Sequence, residues 1–331
     1  MRGLKYRKLG KNGPRVSAIS MGRGSQGIKL EDAPMVEAFN ATIRRAYDLG
    51  INFFDSSDAY WGTRHEVLLG RAVKGFRDKV MVSSKFGNID LPDGKKATNG
   101  RPEYVQASCE ASLKRMELDV IDVFYLHRVD PAVPIEDTIG AMARLIEQGK
   151  VRWIGVCEAG PETLRRAHKA YPISALQTEY SLWFREVERD IIPVCRELGI
   201  GYVAYAPLGR GLLTGRIKSV NDLPANDRRR NHPRFAPENL ARNIKLVEAL
   251  EAMARGQGVT AAQLALAWML AQGEDIVPIP GTNSVKNVAL NAAAADIRLS
   301  PEKVARLSEI FAIGAGAGKR YSERLLKGMG I

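Results

Sequence analysis

Four residues of this 331-residue chain carry side chains suited to one reaction: Asp55, Tyr60, Lys85 and His127. Asp55 ends the apolar run INFFD (51–55), and Tyr60 lies five residues on. Lys85 ends KVMVSSK (79–85), and His127 ends DVIDVFYLH (119–127). Together they suit the reduction of a carbonyl. Hydride reaching the carbonyl carbon leaves an alkoxide, which needs a proton and a positive field. A tyrosine hydroxyl can donate that proton, but a free pKa near ~10 makes it reluctant at neutral pH. An ammonium ~4 Å away favours the phenolate by a few kcal/mol at an effective dielectric of about 20, or about two to three pKa units at most. Asp55 would hold the ammonium in place while cancelling part of its field. His127 would orient the carbonyl oxygen or relay the proton. Singly, each residue has a plainer use: a turn-forming Asp, a solvated Lys, a core His. Their place at the ends of three successive strand candidates favours a shared site.

The elements that must position them alternate along the chain. Strand candidates are 16–21, 51–55, 79–85, 119–127, 151–157, 174–180, 200–206 and 275–281. Helical patterns fill the gaps. MVEAFNATIRRAYDLG (35–50) puts Val36, Phe39, Ile43, Ala46 and Tyr47 on one face and ends at Gly50. Further helices are expected at HEVLLGRAVKG, PEYVQASCEASLKRMEL, PIEDTIGAMARLIEQGK, GPETLRRAHKA and EVERDIIPVCRELG, with a long one over 238–272 interrupted near Gly256 and Gly258. Eight strands separated by helical crossovers imply a parallel sheet, and most strands are apolar on both faces. The count fits a closed (β/α)₈ TIM barrel of the α/β class better than a six-stranded open sheet. Residues 1–331 read as one domain, with FAIGAGAGKR (311–320) as a C-terminal loop. Barrel catalytic groups gather at the C-terminal ends of strands, where the four residues stand.

The stretch MGRGSQG (21–27) matches G-x-G-x-x-G through Gly22, Gly24 and Gly27. A dinucleotide fingerprint needs a helix immediately after the glycines. Here IKLEDAP intervenes, so the match is weak among 31 glycines. Hydrophobic content of 45% and charged content of 26% are ordinary for a folded domain. No apolar run has the length of a membrane span, and MRGLKYRKLG lacks the apolar core of a signal peptide. Three scattered cysteines (Cys109, Cys157, Cys195) argue against a disulfide framework. A cytoplasmic protein is expected. The net charge of +12 suits an anionic ligand. The densest basic cluster, DRRRNHPR (227–234), lacks interleaved aromatics, which argues against nucleic acid and for a solvated loop near an anionic ligand. HEVLL lacks the second histidine of a zinc-protease helix, and no metal is expected. GVCEAG has Ala159 where a nucleophile elbow needs its second glycine, which disfavours a cysteine hydrolase.

RKLG, NFFDSSDAYWG, SSKFG, YLHRVDP, GKVRWIGVCEA, ALQTEYSLW, AYAPLGRGLLTG and PIPGT followed by Asn291 occur in this order along nearly the whole chain. In these motifs the chain resembles the aldo-keto reductases, and in LHRVDPAVPIE and LQTEYSLW their bacterial branch. The resemblance implies a (β/α)₈ barrel binding a nicotinamide dinucleotide across its mouth and reducing aldehydes or ketones to alcohols. It implies Tyr60 as general acid, Lys85 and Asp55 as its tuning pair, and His127 at the carbonyl oxygen. It also places Glu158 and Gln177 near the carboxamide, with Tyr205 stacked on the nicotinamide. Ala206, Pro207, Leu208, Gly209, Gly211 and Leu212 would follow the pyrophosphate. Gly281 and Thr282 would meet the adenosine phosphate, Asn287 and Asn291 the adenine, and Gly22 and Gly24 the nicotinamide ribose.

This chain departs from the family pattern in three places. Cys157-Glu158 replaces the usual Ser-Asn or Ser-Glu, so one hydroxyl contact is absent. Asn283 and Ser284 follow PIPGT where a basic residue usually pairs with the 2′-phosphate of NADP. Lys286 or Arg216 can substitute, which makes NADPH the expected cofactor and NADH the alternative. Leu290 stands where an acidic partner of the adenine is usual. Trp61, Phe86, Arg128 and Trp183 suggest an aromatic-lined pocket for a small, flat carbonyl compound. No nucleic acid or membrane partner is expected, and the oligomeric state is not legible. Two other readings predict different behaviour. A regulatory subunit resembling the potassium-channel β-subunit would bind cofactor with negligible turnover. An open-sheet dehydrogenase would bind it at Gly22–Gly27.

Overall fold

The structure is a computed structural model describing residues 4–24 and 27–321. Ser25 and Gln26 of the MGRGSQG stretch lie outside the described residues. Seven parallel strands follow one another around one sheet in chain order: Phe53–Asp55, Met81–Phe86, Ile121–Leu126, Val151–Cys157, Ala175–Glu179, Gly201–Tyr205 and Ile276–Pro278. Residues 20–22 fill the eighth position. Met21 bridges Phe54 on one side and Gly22 bridges Gly281 on the other, both parallel. The Ser20 N–H donates to the Pro278 carbonyl at 3.0 Å, and the Asp55 N–H to the Met21 carbonyl at 2.9 Å. The sheet closes, so the barrel expectation holds and the open-sheet alternative falls.

The closure explains two glycines of the MGRG stretch and its partner. A Cβ on Gly22 would lie 2.6 Å from the Ile279 carbonyl oxygen, and one on Gly281 1.8 Å from that of Arg23. First and last staves meet backbone to backbone, with no room for a side chain between them. The strand expected at 16–21 is therefore two pieces. Arg15–Ser17 pairs antiparallel with Tyr6–Lys8, and only the end of the run joins the barrel. Ser20 Oγ donates to the Ser17 carbonyl at 3.0 Å and bends the chain between them. The hairpin brings Leu9 and Val16 to the barrel interior.

Period-two alternation sorts each strand into two layers. Phe53, Val123, Tyr125, Cys157, Ala175, Val203 and Val277 fill the barrel, while Phe54, Val82, Phe124, Leu126, Ile154 and Leu176 pack outward against the helices. Gly155 makes the interior possible, since a Cβ there would lie 2.4 Å from the Tyr125 ring. Among the helices, Ala33–Asp48 is capped by Asp32, whose side chain accepts from Met35 N, and it buries Phe39, Thr42, Ile43 and Ala46. The helix expected over 186–199 is shorter, Ile191–Leu198, because Asp190 caps it late. The stretch 238–272 divides into Pro237–Arg255 and Ala261–Leu270, with Gly258 left-handed between them and a Thr260–Gln263 capping box restarting the second. A hairpin, Asn88–Asp90 with Lys96–Thr98, follows the Lys85 strand and was not expected.

Residues 311–321 turn back over the barrel mouth. Asn243 holds Ala317 by two hydrogen bonds, 2.8 and 3.0 Å, and Arg234 donates to the Gly318 carbonyl at 3.3 Å. The basic loop is internally paired where a solvated one was expected. Arg229 forks onto Asp227, Arg230 reaches the carbonyls of Leu223 and Pro224, and Arg234 is buried on Glu179. Among the described residues, no helix is long and apolar enough to cross a membrane.

Candidate active site

Asp55 and Lys85 are the inward residues at the ends of adjacent strands, and both are buried. Lys85 Nζ lies 2.5 Å from Asp55 Oδ2 and donates to the Ser56 carbonyl at 2.6 Å. Asp55 Oδ1 accepts from Ser83 Oγ at 2.8 Å and Gln177 Nε2 at 2.9 Å. Burial opposes the ammonium, but Asp55 and Tyr60 outweigh it and hold the Lys85 pKa above its ordinary value. The ammonium is thus kept protonated and is held by Asp55 and the Ser56 carbonyl.

Tyr60 comes from the turn between Phe53–Asp55 and the helix Arg64–Val73. Trp61, Gly62 and Thr63 in that turn all have positive φ. Its N–H donates to the Ser57 carbonyl at 3.1 Å, and its Oη lies 3.3 Å from Lys85 Nζ. The His127 ring stands edge-on to it with centroids 5.9 Å apart. Burial raises the phenol pKa, Lys85 lowers it, Asp55 raises it and Arg23 lowers it, leaving it above its ordinary value. This corrects the expected downward tuning. The structure keeps the phenol protonated, as an acid must be before it acts, and the cations reduce the cost of the phenolate it becomes.

His127 ends the strand Ile121–Leu126, its N–H bonded to the Phe86 carbonyl at 2.8 Å. Nδ1 shares a 3.1 Å hydrogen bond with Ser57 Oγ. Burial, reinforced by Arg128 and Lys85, pushes its pKa well below the ordinary value, so the ring is neutral. Asp130 of the LHRVDP stretch has a structural task, accepting from the N–H groups of Gly100 and Ala132 at 2.9 Å each. Burial pushes the Cys157 thiol up to about 12, which suits packing and not nucleophilic attack.

The model of the aldo/keto reductase family matches residues 18–312. The chain belongs to that family. It is an oxidoreductase, and NAD(P)H-dependent carbonyl reduction is the family reaction. A probable aldo-keto reductase from Glycine max is 44% identical over 317 residues, 95% of this chain and 91% of the relative. The glycerol dehydrogenase of Gluconobacter oxydans is 26% identical at TM-score 0.84, covering 94% of this chain and 96% of that one. An aldo-keto reductase from Klebsiella pneumoniae, solved with NADPH, is 28% identical at TM-score 0.72, covering 92% and 95%.

The residues expected to hold a dinucleotide separate into two groups. At the outer end the fit is good. Gly209, Arg210 and Gly211 all have positive φ, so the turn Gly209–Thr214 presents its backbone in a conformation favouring glycine. Ser284 caps the helix Val285–Ala293, Thr282 Oγ1 accepts from Ser284 N at 3.1 Å, and Arg216 donates to Asn287 Oδ1 at 3.3 Å. Lys286 is exposed in the first turn, and Asn291 is buried on the same helix. A helix start with a lysine in its first turn and Arg216 bonded to it suits a phosphate. Gly22, Gly24, Asp55 and Thr282 line one cavity. Ala206 has positive φ, Pro207 is buried and Leu208 is half-buried, whereas Leu212 buries its side chain and offers only backbone.

At the nicotinamide end the expected residues are bonded to other protein groups. Glu158 is bonded by both oxygens to Arg320, at 3.0 and 2.6 Å. Burial pushes the Glu158 carboxyl up, but Arg320 outweighs it and the net shift is downward. Tyr205 Oη shares a 3.0 Å hydrogen bond with Tyr321 Oη, and Gln177 donates to Asp55. The C-terminal segment thus supplies Glu158 and Tyr205 with protein partners.

Of the four expected pocket residues, Phe86 points away from the site, while Trp183 lines a cavity with Gly209 and Arg210. Phe86 is fully buried and stacked on Phe124, because Lys85 points inward and its neighbour must point outward. Trp183 lies beneath the C-terminal segment, bonded to Asn243 and packed on Phe235. Trp61 stands edge-on to Phe39 and His65, and Arg128 bonds the His127 carbonyl at 2.6 Å. Sequence reasoning missed Ser57, Ser83, Arg23, Arg320 and Tyr321. The serines carried a signal, being small polar residues inside strand-end motifs already singled out.

Proposed function

We propose that this protein reduces aldehydes or ketones to alcohols with Tyr60 as general acid and NADPH as the preferred cofactor. The observation that carries the reading is the Tyr60 hydroxyl at 3.3 Å from the Lys85 ammonium, itself ion-paired to Asp55 and adjacent to a neutral His127. When bound, the dinucleotide supplies the hydride. Tyr60 gives its Oη proton to the alkoxide oxygen and becomes a phenolate, stabilised where it forms by Lys85. Asp55 keeps Lys85 from turning away and is itself aligned by Ser83 and Gln177. Ser57 bonds His127 Nδ1, so its Nε2 is the nitrogen left to meet the carbonyl oxygen.

Preference for NADPH rests on Arg216, which bonds Asn287 in the first turn of the helix Val285–Ala293, on Lys286 in that same turn and on the net charge of +12. The reading takes residues 1–331 as one domain, a small carbonyl compound as substrate, the cytoplasm as compartment and the LHRVDP-bearing bacterial branch as its place in the family. The test is consumption of NADPH and NADH against a panel of aldehydes and ketones, with binding of each cofactor measured alone. Tyr60→Phe is expected to lower kcat by about two to four orders of magnitude with cofactor affinity little changed. Undiminished turnover in that variant overturns the assignment, and binding without turnover in the wild type overturns the enzyme reading. Arg216→Ala is expected to raise KM for NADPH several-fold more than for NADH, by the loss of one charge-assisted contact.

A further inference from the structure

Arg23 is placed by the closure of the barrel. Its neighbour Gly22 bridges Gly281, its own carbonyl leaves no space for a Cβ on Gly281, and a Cβ on Gly24 would lie 2.0 Å from Asn283 Oδ1. The backbone around residue 23 is therefore clamped on both sides. From it the guanidinium reaches over the Tyr60 ring, with its central carbon 4.6 Å from the ring centroid and 6.0 Å from that of Trp61. Its hydrogen bond is to the Gly24 carbonyl at 3.3 Å, and it has no carboxylate at ion-pair distance among the described residues. A desolvated cation with no acid beside it acts on the group it covers, and a guanidinium over an aromatic face is held by the ring quadrupole.

We infer that Arg23 is a positioning residue for the general acid: it holds the Tyr60 ring by its face and is the second cation, after Lys85, that favours the phenolate. The inference rests on Tyr60 being the acid. An opposite charge within about 4–6 Å moves a pKa by about one to three units. The ring face is a longer approach than the hydroxyl, which puts Arg23 at the low end. Other charged and titratable groups face Tyr60: Asp55 and Lys85 from their strands, His127 from the next, and His65 from the following helix. Arg210 and Arg228 add their fields at Arg23 itself. Of these only Lys85 also stands over the ring, 4.8 Å from its centroid, and Arg23 at 4.6 Å is the second cation on it.

The test is the pH dependence of kcat in both directions for the full chain, as wild type, Arg23→Met, Arg23→Lys and Tyr60→Phe. The phenol must be protonated for reduction and ionised for oxidation, so one pKa limits both profiles and moves the same way in each. Arg23→Met is expected to shift that limb upward by about one unit and lower kcat for reduction about tenfold, with KM for cofactor and for a neutral aldehyde nearly unchanged. Arg23→Lys is expected to keep most of the wild-type profile. Arg23→Gln serves where the methionine variant does not fold. Asp58→Asn, made in parallel, is expected to leave the limb in place. An unmoved limb in Arg23→Met overturns the inference. So does a defect confined to KM for a carboxylate-bearing aldehyde, which would make Arg23 a substrate anchor. A limb that persists in Tyr60→Phe overturns the underlying assignment of the acid.

Discussion

At the residue scale, the candidate site is an arrangement of buried charges that are safe only in company. Lys85 and Asp55 have side chains 0% and 2% exposed. Removing one member of such a pair leaves the other charge without compensation, at about 3–5 kcal/mol. Lys85→Met is therefore expected to lose that much stability along with its activity, measured by urea denaturation beside steady-state turnover. Asp58 sets a second expectation. Burial, with Glu66 nearby, pushes its carboxyl up to about 7 from 3.8. Between those values the folded chain holds a proton that the unfolded chain has released. Stability from this group consequently falls as pH rises from 3.8 to about 7 and is flat above. Asp58→Asn removes the loss. The variant is expected to exceed the wild type by roughly 1–2 kcal/mol at pH 8, the side chain being partly solvated, and to equal it below about pH 4. Denaturation midpoints at the two pH values check this. His65 works in the opposite sense: burial pushes it down to about 3, so its contribution is lost as pH falls below 6.5. The residue types Asp55, Tyr60, Lys85 and His127 could be named from sequence because each ends or follows a recognisable apolar run.

At the element scale, the strand ends decide which side chains meet. Alternation puts Asp55, Lys85 and Gln177 on the inner face and sends Phe86 outward. That parity was present in KVMVSSKF, and applying it would have removed Phe86 from the pocket. The first stave was harder to read, because serines bend a run that looks continuous in VSAISM. Its closure against the last stave depends on two glycines. Gly281→Ala is expected to destabilise the fold by roughly 2–4 kcal/mol, since the new Cβ would meet a carbonyl oxygen that the opposite strand fixes. Thermal unfolding of the variant, with loss of the hydrogen bonds of residues 20–22 read by amide exchange, measures the effect.

At the scale of the whole molecule, the C-terminal segment couples distant parts of the chain. Arg320 is bonded to Glu158, 162 residues away, in a buried fork. Arg210 bonds Tyr321 and Glu179, and Arg234 bonds Glu179, which ties the basic loop to the same mouth. Arg320→Met would leave Glu158 buried without that partner and is expected to lower stability by about 3–5 kcal/mol. Its urea midpoint should rise toward the wild type when Glu158→Gln is added, because the stranded charge is then gone. A double variant no better than Arg320→Met would place the energy elsewhere in the segment.

The sequence by itself determined the alternation of strands and helices, a parallel sheet of eight such units for which a closed barrel is the better fit, and the chemical types standing at the strand ends. Those properties follow from local periodicity and from residue chemistry, which a linear reading contains. Only the tertiary structure decided that Arg23 lies over Tyr60, that Gln177 aligns Asp55, and that Arg320 and Tyr321 cover Glu158 and Tyr205. Each of these contacts joins segments far apart in the chain, and their partners are chosen by how the barrel closes and the tail folds back, which no spacing in the sequence records.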